Sequence, residues 1–175
     1  TNAEFTGEPF TGSYSNGYYS YIGTADNADD VNLYAKFSVG AYDLNVFAYS
    51  NTGIGLTTYN NNNVGGTVDV AGDFIAGDKV ADSTNARVTA KVYFDKVATV
   101  IATPKKGYTF GGWYTSDNSF AETSTLVAVH DPETNSYKLE TSAMGIDGLN
   151  YYAKFEVGSF NIVYNANGGS DITAK

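Results

Sequence analysis

Apolar and polar residues alternate without a break from Leu149 to Val157. Leu149, Tyr151, Ala153, Phe155 and Val157 fall on one side of an extended chain, and Asn150, Tyr152, Lys154 and Glu156 on the other. A period of two marks a strand with one buried face, because successive side chains of a pleated backbone point to opposite sides. The same alternation runs from Val31 to Val39, with Val31, Leu33, Ala35, Phe37 and Val39 expected inward and Asn32, Tyr34, Lys36 and Ser38 outward. Each run closes on a Val-Gly pair, and a further strand follows. Its inward set is Tyr42, Leu44, Val46 and Ala48 in one case and Phe160, Ile162, Tyr164 and Ala166 in the other. Asn165-Ala166-Asn167-Gly168-Gly169 then reads as a turn, since Asn and Gly tolerate positive φ.

Between these landmarks, Val88 to Thr103 is rich in β-branched residues, and Ala98, Val100 and Ala102 alternate just before Pro104. Pro104-Lys105-Lys106-Gly107 should turn the chain into Tyr108-Thr109-Phe110. Asp82-Ser83-Thr84-Asn85 is a second turn cluster, and Tyr59 to Gly66 reads as a loop tip. No stretch carries a helical period, although Asp73 to Lys79 or Phe120 to Val127 could hold one short turn. The prediction is a mainly β fold of antiparallel strands with little helix.

The two alternating runs belong to an internal repeat. Residues 19–42 align with 137–160 without gaps at an offset of 118, and 10 of the 24 positions are identical, including Tyr34-Ala35-Lys36-Phe37 against Tyr152-Ala153-Lys154-Phe155. Chance would give roughly one or two, so self-similarity sets the expected organisation. It comprises the C-terminal part of a first repeat (1–40), a complete module (41–158), and the first strand and turn of a following repeat (159–175). A frame that opens out of phase has two explanations. Either the chain is a slice of a longer array, or subunits exchange strands end to end, with residues 159–175 of one completing the partial unit of the next.

The string Val100-Ile101-Ala102-Thr103-Pro104-Lys105-Lys106-Gly107-Tyr108-Thr109-Phe110-Gly111-Gly112-Trp113-Tyr114, followed by Asn150-Tyr151-Tyr152-Ala153-Lys154-Phe155, resembles the InlB B-repeat (Listeria–Bacteroides repeat) family. The opening Asn161 to Gly169 is similar to the first strand and Asn-Gly-Gly turn of such repeats. This resemblance implies small tandem β-rich modules, β-grasp-like or B-repeat-like. It also implies export to the bacterial cell surface and a non-catalytic role as stalk or adhesive element. The 118-residue period is longer than is typical of the family, with the surplus around Gly53–Arg87 and Asp117–Leu139.

Composition narrows the choice of partners. The 175 residues carry 15 Tyr, 10 Phe and one Trp but only 17% charged side chains, enough apolar surface to fold. Ten Lys and Arg against 19 Asp and Glu leave a net charge of −9, which repels phosphate backbones and anionic headgroups. Nucleic acid is therefore not an expected partner. No apolar run approaches the ~20 residues of a membrane span, and membrane insertion of this segment is not expected. With no cysteine, thiolate chemistry and disulfides are excluded.

Catalytic signals are sparse. His130 is the single histidine and sits in Val129-His130-Asp131-Pro132, a strand running into a turn, with no nucleophile elbow or metal spacing beside it. Glu122, Glu133, Glu140 and Glu156 show no spacing for paired-carboxylate work, and no enzyme is expected. Gly107, Gly111 and Gly112 fall around a β turn without a following helix to hold phosphate. No cofactor is called for, Ca²⁺ at Asp26, Asp29 and Asp30 being the one metal candidate; those residues gather hard oxygen ligands without EF-hand spacing.

Trp113 lies in the family-like string and reads as a core anchor rather than a sugar platform. Tyr34 and Tyr152 are outward by alternation, beside Lys36 and Lys154. A Lys–Asn crosslink from either lysine would need it buried next to a carboxylic acid, whereas the pattern turns both outward. Tyr14, Tyr18, Tyr19 and Tyr21 form a denser strip. Such tyrosines suit cross-strand packing, or a carbohydrate-binding surface in the alternative reading. The expectation is an extracellular, non-catalytic repeat module acting as stalk, adhesin or filament element. Its partners would be neighbouring repeats or identical subunits, with a glycan or host surface ligand as the further candidate.

Overall fold

The computed structural model describes residues 13–15, 18–20, 37–117, 120 and 126–159, the first two segments by backbone alone. The chain divides into two compact units, Thr1–Phe37 and Ser38–Lys175. In the first, β1 (Ser13–Ser15) and β2 (Tyr18–Ser20) pair antiparallel, with Tyr14 opposite Tyr19 and Ser15 opposite Tyr18. Asn16-Gly17 separates them in sequence, the dipeptide that two-residue hairpins favour.

Among the described residues the second unit forms two β-sheets. Its strands are β3 (Ala41–Ser50), β4 (Asn60–Asn61), β5 (Gly66–Ala71), β6 (Val80–Asp82), β7 (Arg87–Tyr93), β8 (Thr99–Pro104), β9 (Tyr108–Tyr114), β10 (Val129–Asp131), β11 (Ser136–Glu140) and β12 (Leu149–Val157). One sheet has the order β6-β7-β3-β12-β9, with β4 also on β3; the other has the order β10-β11-β8-β5. The mainly β, antiparallel prediction holds, and among the described residues there is no α-helix. One pairing departs from it: β12 runs parallel to β3, from Leu149 opposite Leu44 to Phe155 opposite Ser50. The first and last described strands of the unit thus lie side by side at the centre of the larger sheet, β3 flanked by β7 and β12 by β9.

The alternation read from the sequence decides what is buried. Leu44, Val46 and Ala48 of β3 share one core with Tyr151, Ala153 and Phe155 of β12, with Ala90 and Val92 of β7, and with Val70, Val100 and Ala102 of the smaller sheet. Fully burying an aromatic such as Phe155 contributes roughly 1.5–3 kcal/mol. Trp113 is fully buried and meets Phe110 edge-on at 5.8 Å, as a core anchor should. The turn at Pro104–Gly107 forms, with Tyr108 N donating to Lys105 O. The Asp82 turn forms as well, its carboxylate accepting from the backbone of Thr84 and Asn85.

Two expectations are corrected. Tyr59–Gly66 is not simply a loop tip. Asn60 and Asn61 pair with Ser50 and Tyr49, Gly65 N donates to Ser50 Oγ, and Gly65 and Gly66 are buried against Phe155. The run lacks side chains at these two positions because the backbone passes directly over a ring. The second correction concerns Phe37 and Val39, expected inward but 88% and 62% exposed, in a stretch (37–40) without strand structure. Phe155 is buried because Gly65, Gly66 and Phe110 pack against it. Val31 to Lys36 and Phe160 to Ala166 lie outside the described residues.

Candidate functional site

The outer face of the larger sheet collects the side chains that alternation turns away from the core. Pairing across β7, β3 and β12 sets them in rows: Lys91 with Asp43, then Thr89 with Asn45 and Asn150, then Arg87 with Phe47 and Tyr152, then Tyr49 with Lys154. In the first row Lys91 Nζ donates to Asp43 at 2.9 Å. In the second, Thr89 Oγ1 donates to Asn45 Oδ1 at 2.8 Å, and Asn45 Nδ2 to Asn150 Oδ1 at 3.1 Å. Asp43, Asn45, Lys91, Asp147 and Asn150 line an open polar hollow of about 280 Å³ here.

The third and fourth rows are aromatic. Phe47 and Tyr152 stack at 5.0 Å with their planes 10° apart, and Arg87 lies 5.9 Å from the Phe47 ring centre. Phe120 comes in from the β9–β10 connection and meets Tyr49 at 5.0 Å, Tyr59 at 5.6 Å and Tyr114 at 5.1 Å. Burial raises the Tyr49 hydroxyl to a pKa of about 12, reinforced by Asp117, to whose Oδ2 the hydroxyl donates a hydrogen bond at 3.2 Å.

Beneath Phe120 lies the most enclosed charge on this face. Lys154 is 13% exposed, pairs with Glu156 Oε1 at 2.9 Å, donates to Phe120 O at 3.1 Å and sits 4.6 Å from the Tyr59 ring centre. Tyr59 OH donates to the same Glu156 oxygen at 2.7 Å. Burial works against the lysine charge, but hydrogen bonds to Glu156 and Tyr59 outweigh it and hold its pKa above the ordinary value. The Tyr59 hydroxyl, against burial and helped by Lys154, holds the Glu156 carboxyl below its usual range. These groups and Asn51 line a groove of about 370 Å³. Lys154 projects from the outward face, as the alternation predicts, yet loops cover it and a carboxylate adjoins it, so its predicted exposure is corrected. The ammonium is surrounded by partners, an arrangement that ties loop to sheet.

Of the residues singled out from sequence, Tyr152 stands in this aromatic set with a ring face against Phe47. Tyr14 lies on β1 and Tyr18 and Tyr19 on β2, Tyr14 and Tyr19 as direct cross-strand partners. Tyr21, Tyr34, Asp26, Asp29 and Asp30 lie outside the described residues. His130 stacks on Tyr137 at 4.5 Å on the β10–β11 hairpin. Phe47, Tyr49, Tyr59 and Phe120 were not singled out from sequence. The period that sends Leu44 and Val46 inward already turns Phe47 and Tyr49 outward, whereas Tyr59 and Phe120 come from connections with no periodic signal.

Fold and site together define a mainly β protein whose central sheet carries a packed aromatic and charged outer face. Comparison of the chain with known protein families, with characterised proteins and with solved structures returned no match.

Proposed function

We propose that the chain is a non-catalytic extracellular repeat module of a bacterial surface protein, serving as a stalk, adhesin or filament element. The observation that carries this reading is the parallel pairing of β3 with β12. A chain that enters along one strand and leaves along a parallel neighbour departs from the opposite pole. Ala41 and Val157 are therefore separated by about 35 Å along the strand axis, at ~3.3 Å per residue. Modules joined through such poles add length with each repeat, which suits a spacer. The 118-residue offset of the internal repeat and the resemblance to B-repeats support the same reading. For the glycan-binding alternative, Tyr152 has one ring face stacked on Phe47 and meets Tyr49 edge-on at 5.9 Å, which favours its role in packing the sheet.

The test is the solution length of two 41–158 periods joined in tandem. Small-angle scattering should give a maximum dimension about 35 Å or more beyond that of the single period. A compact pair with no gain in length overturns the stalk.

A further inference from the structure

We infer that the β3–β12 ladder is a mechanical clamp that carries tension along the chain, an inference that takes its purpose from the stalk reading but stands on strand geometry alone. Tension arriving through Ser38–Gly40 pulls β3 toward its own start, and tension leaving through Gly158–Ser159 pulls β12 toward its own end. Since the strands are parallel and adjacent, these forces slide one strand against the other. Every pair from Leu149–Leu44 to Phe155–Ser50 is then loaded together. The evenly spaced bonds of a parallel ladder share such a load, so rupture requires many to break at once.

The ladder is reinforced at the end where the chain leaves. Asn51, 4% exposed, accepts from Val157 N through Oδ1 at 2.8 Å, and its own N donates to Phe155 O at 3.3 Å. Gly158 N donates to Gly107 O at 2.8 Å, tying the last residue before the junction to the β8–β9 turn. On the outer face Asn45 bonds Asn150, and Phe47 stacks on Tyr152, each linking β3 to β12 by side chains as well. β3 and β12 are also held from outside, by β7 over Ala41–Phe47 and by β9 over Tyr152–Val157. Neither loaded strand is an edge strand, so neither can peel away without breaking a second ladder.

The direction of pulling tests this on the full 175-residue chain. Natural cysteines are absent, so paired cysteines give unique handles. In one variant, S38C with S159C, the handles lie at opposite poles and shear the ladder. In the other, T52C with S159C, both handles lie at the pole where β3 and β12 end, and the pair opens one bond at a time. All three positions are exposed, and equal denaturant midpoints establish that the two variants share one fold and stability. In single-molecule pulling at one loading rate, the first variant should rupture at a force severalfold above the second, because its ladder bonds fail together rather than one at a time. Equal forces, or a lower force for the first variant, overturn the clamp. This ratio reads the clamp alone and the tandem length reads the stalk, so one can fail while the other stands.

Discussion

Adding a single methyl group at Gly66 tests whether the packing over Phe155 is as tight as the structure describes. A Cβ at Gly66 would overlap the Phe155 ring, and one at Gly65 would come within 2.7 Å of Phe155 Cβ, where ordinary contacts need at least 3.4 Å. The ring has no room to retreat. It is fully buried, with Phe110 edge-on at 6.2 Å and Gly65 beside it. Overpacking a core of this kind costs about 1–3 kcal/mol. Gly66→Ala should therefore lower the melting temperature by roughly 3–10 °C. The single, buried Trp113 reports unfolding by its fluorescence. Phe155→Ala alone should cost about 3–5 kcal/mol through the cavity it leaves. In the double variant the new methyl occupies part of that cavity, so the combined loss should fall short of the sum by about 1 kcal/mol or more. A neutral Gly66→Ala, or strict additivity in the cycle, would refute the close approach of the β4–β5 connection to the ring.

Two further outcomes follow from polar groups. Asp131 is held at a pKa of about 2 by hydrogen bonds from Lys138, at 2.8 Å, and from the Thr134 turn. Because the folded pKa lies below the ordinary 3.8, the stabilisation is full above that value and disappears as pH falls through 3.8 toward 2. Asp131→Asn should remove this step from the acid limb of a stability-against-pH curve, and an unchanged limb counts against the pairing. Asn51→Ala removes the acceptor of Val157 N–H and the donor to Leu56 O, at 2.8 and 3.1 Å. Leaving such groups unpaired costs about 1–3 kcal/mol each. Urea titration should show a lower midpoint with an unchanged slope, and a loss under about 0.5 kcal/mol would remove Asn51 from the β3–β12 junction.

How much was legible in the sequence depended on the range of the interaction. Alternation from Leu149 to Val157 and from Tyr42 to Ala48 determined which faces are buried, because a strand's two faces differ by a period that any short window contains. Turn chemistry at Asp82 and Pro104 was equally local, and the burial of Trp113 followed from the motif that holds it. Periodicity did not reveal that β3 and β12 run parallel at the sheet centre, since the residues that pair are about a hundred positions apart and carry no mark of orientation. Nor did it show that Gly65 and Gly66 roof Phe155, or that Tyr59 and Phe120 close over Lys154. Phe37 and Phe155 stand in identical Tyr-Ala-Lys-Phe strings, yet one is exposed and the other enclosed. The local pattern offers a face for burial; tertiary structure alone supplies the residues that cover it, because burial is a property of the surroundings and not of the strand.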